Sequence, residues 1–235
     1  MKFHYDLTGA QQIYKPYPVY GAGANIKEGA LVAKGVTAGT NQGFGILAPT
    51  GLAGVIGLCG ELHTNTVAGA DSKQDGTVIK NRKILVNPFA VLLAQWATGA
   101  IAVASTSTTT VTVTSLEDDI DGGWLLGSDG QLQYIVAAAS GSCTSKTATG
   151  WTSATTIQKI TPLFHATTTL SSDSTQLNQA AAAGTGKARV IQNYIKANGI
   201  AFQALDPTKH SGLTLISPQA FSDVIFTDHA FGING

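Results

Sequence analysis

The 235-residue chain sets 14 Lys and Arg against 14 Asp and Glu, and only 12% of its residues are charged while 43% are hydrophobic. That balance excludes a disordered chain, and it excludes a binder of nucleic acid or anionic membrane, which needs a basic field. The length supports one large β domain or two smaller ones, and so few charges suit a molecule that lives packed in an assembly.

The start, Met1 to Asp6, lacks the apolar run and small-residue cleavage site of a secretory leader. Residues 1–25 read as an extended N-terminal arm, because Pro16 and Pro18 hold Lys15 and Tyr17 extended within Tyr14-Lys15-Pro16-Tyr17-Pro18-Val19-Tyr20. Tyr5, Tyr14, Tyr17 and Tyr20 fall in this arm and are the candidate partner-binding residues. They lie either on the protein's own barrel or on a neighbouring subunit, where Tyr is a favoured anchor.

Residues 26–100 show short apolar runs between Gly-rich turns: Ala30-Leu31-Val32, Gly45-Ile46-Leu47, Val55-Ile56-Gly57-Leu58, Thr77-Val78-Ile79 and Ile84-Leu85-Val86. That spacing predicts a barrel-like or sandwich domain. The uncharged stretch from Ile84 to Ala104 is long enough to span a bilayer, but Asn87, Pro88, Gln95, Thr98 and Gly99 interrupt it, so it reads as buried core.

Residues 101–170 read as a hairpin-rich insertion or second domain. Residues 105–114 are only Ser, Thr and Val; the second half predicts a strand and the first half a strand or a linker. Asp129-Gly130 between two apolar runs predicts a hairpin with a primed turn, with Leu132, Tyr134 and Val136 on one face. Residues 140–156 read as exposed loop, and Ile157 to His165 as a strand. In 171–235, expected to complete the β body, 187–197 fits helix or strand, with the balance to strand, and Asn198-Gly199 serves as helix cap or hairpin turn. The fold class is mainly all-β: a compact barrel or sandwich with an extended arm, a second hairpin region and at most one or two short helices.

Motifs that carry chemistry are sparse. Gly184-Thr185-Gly186-Lys187 fails as a phosphate loop, with Ala181 at its first Gly position and Ala188 where magnesium needs a hydroxyl. Gly21-Ala22-Gly23 lacks the rest of a dinucleotide fingerprint and reads as a turn. Glu117, Asp119 and Asp121 resemble half a calcium loop, but Ser128 stands where the bidentate Glu belongs, leaving a loose site or an acidic turn. Cys59 and His63 share strand parity without two further ligands, and Cys59 and Cys143 read as free thiols. No catalytic residue, metal or cofactor is expected.

The succession Asn25-Ile26-Lys27-Glu28-Gly29-Ala30-Leu31-Val32, Gly54-Val55-Ile56-Gly57-Leu58 and Lys83-Ile84-Leu85-Val86-Asn87-Pro88-Phe89-Ala90 resembles small capsid decoration (cement, head-stabilising) proteins of tailed bacteriophages. The resemblance covers about the first hundred residues. It implies a virion structural protein on the outer capsid surface, not an enzyme, bound to the major capsid protein lattice and often a homotrimer. The alternatives are a tail, baseplate or fibre component and, from another class, a carbohydrate-binding module or hydrolase with Trp124 and Trp151 beside the acidic Glu117–Asp121 turn.

Overall fold

The computed structural model describes residues 1–20, 26–36, 42–48, 55–62, 79–87, 89–97, 101–113, 120–164, 166–167, 169–170, 174–178 and 188–226. Among these, regular structure is β-strand and no residue is in an α-helix, so the all-β class stands. The chain forms two units, the first built on Met1–Ala94 with Leu170–Gln176, the second on Gln95–Thr169 with Leu177–Val224.

The first unit holds β1 (Lys2–Asp6), β2 (Tyr14–Tyr20), β3 (Leu31–Lys34), β4 (Gly45–Leu47), β5 (Val55–Cys59), β6 (Ile79–Leu85) and most of β7 (Ala90–Gln95). Strands β2-β4-β3-β5-β6 close into a barrel, while β1 and β7 form an antiparallel ladder. The barrel is filled by Val19, Ile26, Ala30, Val32, Ile56, Cys59, Ile84 and Val86. Each aliphatic side chain fully buried there contributes about 1.5–3 kcal/mol. Such a small barrel needs close strand approaches, and Gly57 supplies one, since a Cβ there would stand 2.2 Å from the Leu85 carbonyl oxygen.

The segment expected as an arm over 1–25 is therefore corrected. Its prolines do hold it extended, but Tyr14–Tyr20 pairs residue by residue with Leu85–Ile79 and is a stave of the barrel. Proline is tolerated because the strand's other neighbour, β4, meets it only at Val19–Gly45, leaving few ladder donors to lose. The sequence hid the pairing: β6 runs straight through the polar Lys80-Asn81-Arg82-Lys83, which separates two apolar runs.

The second unit begins with β8 (Ile101–Ser107), β9 (Thr110–Val113), β10 (Trp124–Gly127), β11 (Leu132–Ala139), β12 (Ser142–Ser145) and β13 (Thr156–Ile160). These close as a second barrel in the order β10-β11-β12-β9-β8-β13 around Val103, Val111, Val113, Ile120, Leu125, Ile135, Cys143, Trp151 and Ile157. The first half of 105–114 is strand, not linker; β8 turns into β9 at Thr108, whose φ is +49°. The stretch 140–156 is not simply exposed loop either. Alternation places Cys143 and Ser145 inward on β12, and the Trp151 ring is buried with its Nε1 donating to Asp129 Oδ1 at 3.2 Å.

The Asp129-Gly130 hairpin exists, but its turn differs from the primed type. Ser128 and Asp129 keep negative φ and only Gly130 is left-handed (+85°), with Gly130 N donating to Gly127 O and Gly127 N to Gln131 O. This is a three-residue loop closed by a glycine bulge. Glycine is required at 130 twice over, because a Cβ would also lie 2.1 Å from the Leu215 carbonyl oxygen. A bulge between Ile135 and Ala137 breaks the predicted face, so Leu132 is buried and Val136 is exposed.

Four short or long strands follow: β14 (Ala166–Thr167), β15 (Thr169–Leu170), β16 (Leu177–Asn178) and β17 (Ala188–Ala197), then β18 (Ile200–Ala204) and β19 (Gln219–Phe226). The ambiguous 187–197 segment is strand from 188 onward, and Asn198-Gly199 turns it into β18. β19 flanks one side of β17, while β14 pairs with the start of β17 and β18 with its end. A buried polar chain ties the layers: Trp96 Nε1 donates to Ser222 Oγ (2.7 Å), Ser222 Oγ to Asn193 Oδ1, and Asn193 Nδ2 to the Thr161 carbonyl (2.9 Å).

Candidate functional site

The four tyrosines separate by environment. Tyr17 packs against the core of its own barrel, and its hydroxyl donates to the Gly43 carbonyl at 3.1 Å. Tyr20 ends β2 opposite Ile79, and its side chain lies outside the described residues. Tyr5 and Tyr14 are exposed, Tyr5 opposite Val91 and Tyr14 opposite Leu85. These two flank a feature the sequence did not announce.

Between them, residues 7–13 are pinned by two buried polar side chains. Asn87, fully buried, accepts from Ile13 N on Oδ1 (2.6 Å) and donates through Nδ2 to Gln11 O (2.8 Å) and Asp6 Oδ2 (3.2 Å). Asp6 Oδ1 accepts from Thr8 N (2.8 Å) and Thr8 Oγ1 (2.6 Å). Leu7 N donates to Phe89 O and Val86 N to Ile13 O, so the backbones of 6–13 and 86–90 are stitched together. With its buried polar atoms satisfied, the segment is held in one conformation.

Three apolar residues on these segments face solvent: Leu7 is 55% exposed, Ile13 46% and Phe89 54%. Phe89 thus departs from the buried-core reading of 84–104; the stretch is divided between β6, which ends at Leu85, and β7, which begins at Ala90. Across residues 5–14 and 84–91 the single ionisable acid or base charge is Asp6, and its carboxylate is committed to Thr8 and Asn87. The exposed apolar residues and the two tyrosines thus lie on segments whose one charge is the committed Asp6 carboxylate. Single exposed apolar residues are ordinary; three on segments stitched together by backbone hydrogen bonds are a departure from that pattern.

The Thr8 hydroxyl, aided by the Thr8 amide and the Asn87 carboxamide, holds the Asp6 carboxyl below the usual aspartate range, outweighing the burial that pushes it up. A lowered folded value means that Asp6 contributes its stabilisation in full above the ordinary aspartate pKa of about 3.9, and loses it as pH falls through the folded value. The amides of Thr8 and Ile13 are therefore expected to keep their exchange protection at pH 5 and to lose it only once the pH has fallen below the ordinary aspartate pKa of about 3.9, a shift that Asp6→Asn should abolish. An NMR titration placing Asp6 at or above 3.9 contradicts this account.

The remaining sequence candidates form no site among the described residues. Gly184–Lys187, Gly21–Gly23, Glu117, Asp119 and His63 lie outside the described residues; Asp121 is exposed. Among the described residues no group of three His, Cys, Asp or Glu is arranged to hold a metal. The Cys59 thiol donates to the Glu61 carbonyl, and burial pushes the Cys143 thiol up to about 12, so neither is poised as a nucleophile. Trp124 and Trp151 are 3% and 2% exposed, which removes the aromatic faces the carbohydrate reading required of them. A cleft of about 400 Å³ in the second unit is lined by Gln95, Trp96, Gln158, Ser217, Gln219 and neutral neighbours, and among the described residues that line it none is ionisable. No described helix is long and apolar enough to cross a membrane.

The geometry defines an all-β protein of two barrel-bearing units. No family model, curated protein or solved structure matches the chain.

Proposed function

We propose that the chain is a virion structural protein, a capsid decoration or cement protein that seats on the major capsid protein lattice from outside and stabilises the head. The observation that carries this reading is the surface of Leu7, Ile13 and Phe89 flanked by Tyr5 and Tyr14, prefixed in shape by Asp6 and Asn87 and free of charge. A protein with zero formal charge has no field to hold it on a partner, so its contact rests on apolar burial and neutral hydrogen bonds. Rigid pinning of the contact segment removes ordering entropy that binding would otherwise oppose. The resemblance of residues 25–90 to phage decoration proteins points the same way, and the trimer it implies would repeat the contact and gain avidity.

Electron cryomicroscopy of the source particles tests the reading. The expected result is density for the chain's small β-barrels at repeating positions on the outer shell, with Phe89 against the lattice. Density confined to the tail, or particles without the chain, overturns it.

A further inference from the structure

The cleft of the second unit lies where the outer face of β10 and β13 meets Gln95, Trp96 and residues 217–220. Strand alternation explains its lining. Leu125 and Ile157 turn into the barrel core, so their neighbours Leu126 and Gln158, opposite each other on β10 and β13, turn outward. Gln158 is nevertheless only 8% exposed. Its Nε2 donates to the Ala97 carbonyl, and that bond fixes which end of the carboxamide is the oxygen. Oε1 accepts from no donor among the described residues, although a carboxamide oxygen buried this far ordinarily has one. It is not sealed from the surface, and its opening is the cleft that Gln158 lines. The other polar side chains there are uncommitted too: those of Gln95, Thr156, Ser217 and Gln219 make no hydrogen bond among the described residues, and Ser128 Oγ, which accepts from Thr156 N at 3.2 Å, keeps its proton to donate. The wall at Ser217 is fixed in advance, since Leu215 N donates to Gly130 O and Ile216 O accepts from Asn198 N. Ser217 itself holds a left-handed φ of +51° although it precedes Pro218, where extended backbone is the norm; strain of this kind collects at ligand sites.

We propose that this cleft binds a neutral saccharide, one or two sugar rings in size, through the carboxamides of Gln95, Gln158 and Gln219 and the hydroxyls of Ser128, Thr156 and Ser217. The lining selects the class. A phosphate, carboxylate or amine would give up its water and meet no opposite charge, because no described residue of the lining is ionisable. An apolar occupant would seal Gln158 Oε1 away without a donor. A peptide would need an open strand edge to pair with, and β10 and β13 are each paired on both sides. A sugar hydroxyl both donates and accepts, so neighbouring hydroxyls match the oxygen and the NH2 group of a carboxamide, and one of them supplies the proton that Oε1 lacks. A volume of about 400 Å³ stands at the small end of ligand sites, which suits a sugar and not a polymer. Trp96 offers no stacking face, being 2% exposed with its Nε1 committed to Ser222, so binding is expected to be weak, with a Kd on the order of 1 mM. The cleft shares no residue with the Phe89 surface, so either reading can fail alone.

The test is an amide-resolved NMR titration of the full chain with glucose, galactose, N-acetylglucosamine and maltose, each to about 100 mM, roughly a hundred times the expected Kd. Glucuronate, which adds a charge, and glycerol, which lacks the ring, serve as comparators. At least one sugar should give saturable shifts at Ser128, Thr156, Gln158 and Gln219, and neither comparator should. Gln219→Ala, which removes an exposed side chain without hydrogen bonds, should weaken that sugar about fivefold with an unchanged melting temperature. Gln158→Leu, which keeps the bulk and removes the acceptor, should weaken it at least about tenfold; if that variant does not fold, Gln219→Ala decides. No saturable shift with any of the sugars, equal shifts with glucuronate or glycerol, shifts confined to other residues, or an affinity that the folded variants leave unchanged overturns the assignment.

Discussion

Trp151→Ala is expected to lower the stability of the second unit by about 3–5 kcal/mol, the range for deleting a large aromatic from a packed core. The indole is 2% exposed among Val103, Val111, Leu125, Ile135 and Ile157, and its Nε1 reaches Asp129 in the tight β10–β11 hairpin. Its removal opens a cavity in the middle of the barrel and strands a carboxylate partner in the same step. The Gly127 backbone packs directly on the ring, since a Cβ there would lie 2.4 Å from the indole nitrogen. All three tryptophans lie in the second unit, so tryptophan fluorescence during urea unfolding reads that unit alone. The expected result is a large drop in midpoint for Trp151→Ala and a smaller one for Trp151→Phe, which retains most of the volume. Equal midpoints for the wild type and the alanine variant would place Trp151 outside the core.

How much of this was readable in the sequence depended on whether a signal was local. Short apolar runs between glycines gave the all-β class, Val111-Thr112-Val113 marked a strand, Asp129-Gly130 marked a chain reversal, and Asn198-Gly199, open between helix cap and hairpin turn, is a reversal too. What failed was non-local. The Pro-rich Tyr14–Tyr20 segment looks unpaired until β6, more than sixty residues on, is laid beside it. Cys143 and Trp151 sit in a Ser/Thr/Gly-rich stretch whose composition says loop, yet barrel closure buries both. Tyr5 and Tyr14 were singled out because tyrosine is a favoured anchor, whereas the exposure of Leu7, Ile13 and Phe89 was not legible because neither neighbour nor period sets them apart. The one legible hint was Asn87-Pro88 in an otherwise apolar run: a buried asparagine needs partners, and here its partners are the backbone of the contact segment.

Phe89→Asp is expected to abolish attachment while leaving the fold intact. A half-exposed side chain away from the core changes stability by about 0.5 kcal/mol or less when replaced, whereas a central aromatic anchor typically contributes about 2 kcal/mol or more to binding. A loss of 2 kcal/mol is about a 30-fold weaker contact, and a new carboxylate in an uncharged surface adds the cost of its desolvation. Leu7→Asp should act in the same direction, and Tyr17→Phe, which alters a residue committed to its own barrel, should not.

Adhesion without charge is the claim on which the functional account stands, and a salt series on particle-bound protein tests it most directly. Screening at about 1 M salt shortens electrostatic reach to about 3 Å and leaves apolar contacts intact or stronger. The wild type should therefore cosediment with particles undiminished from low to high salt, while Phe89→Asp is absent from the pellet at every concentration. Release of the wild type by salt alone, with Phe89→Asp bound as well as the parent, would show that charge elsewhere on the molecule holds it and that this surface does not.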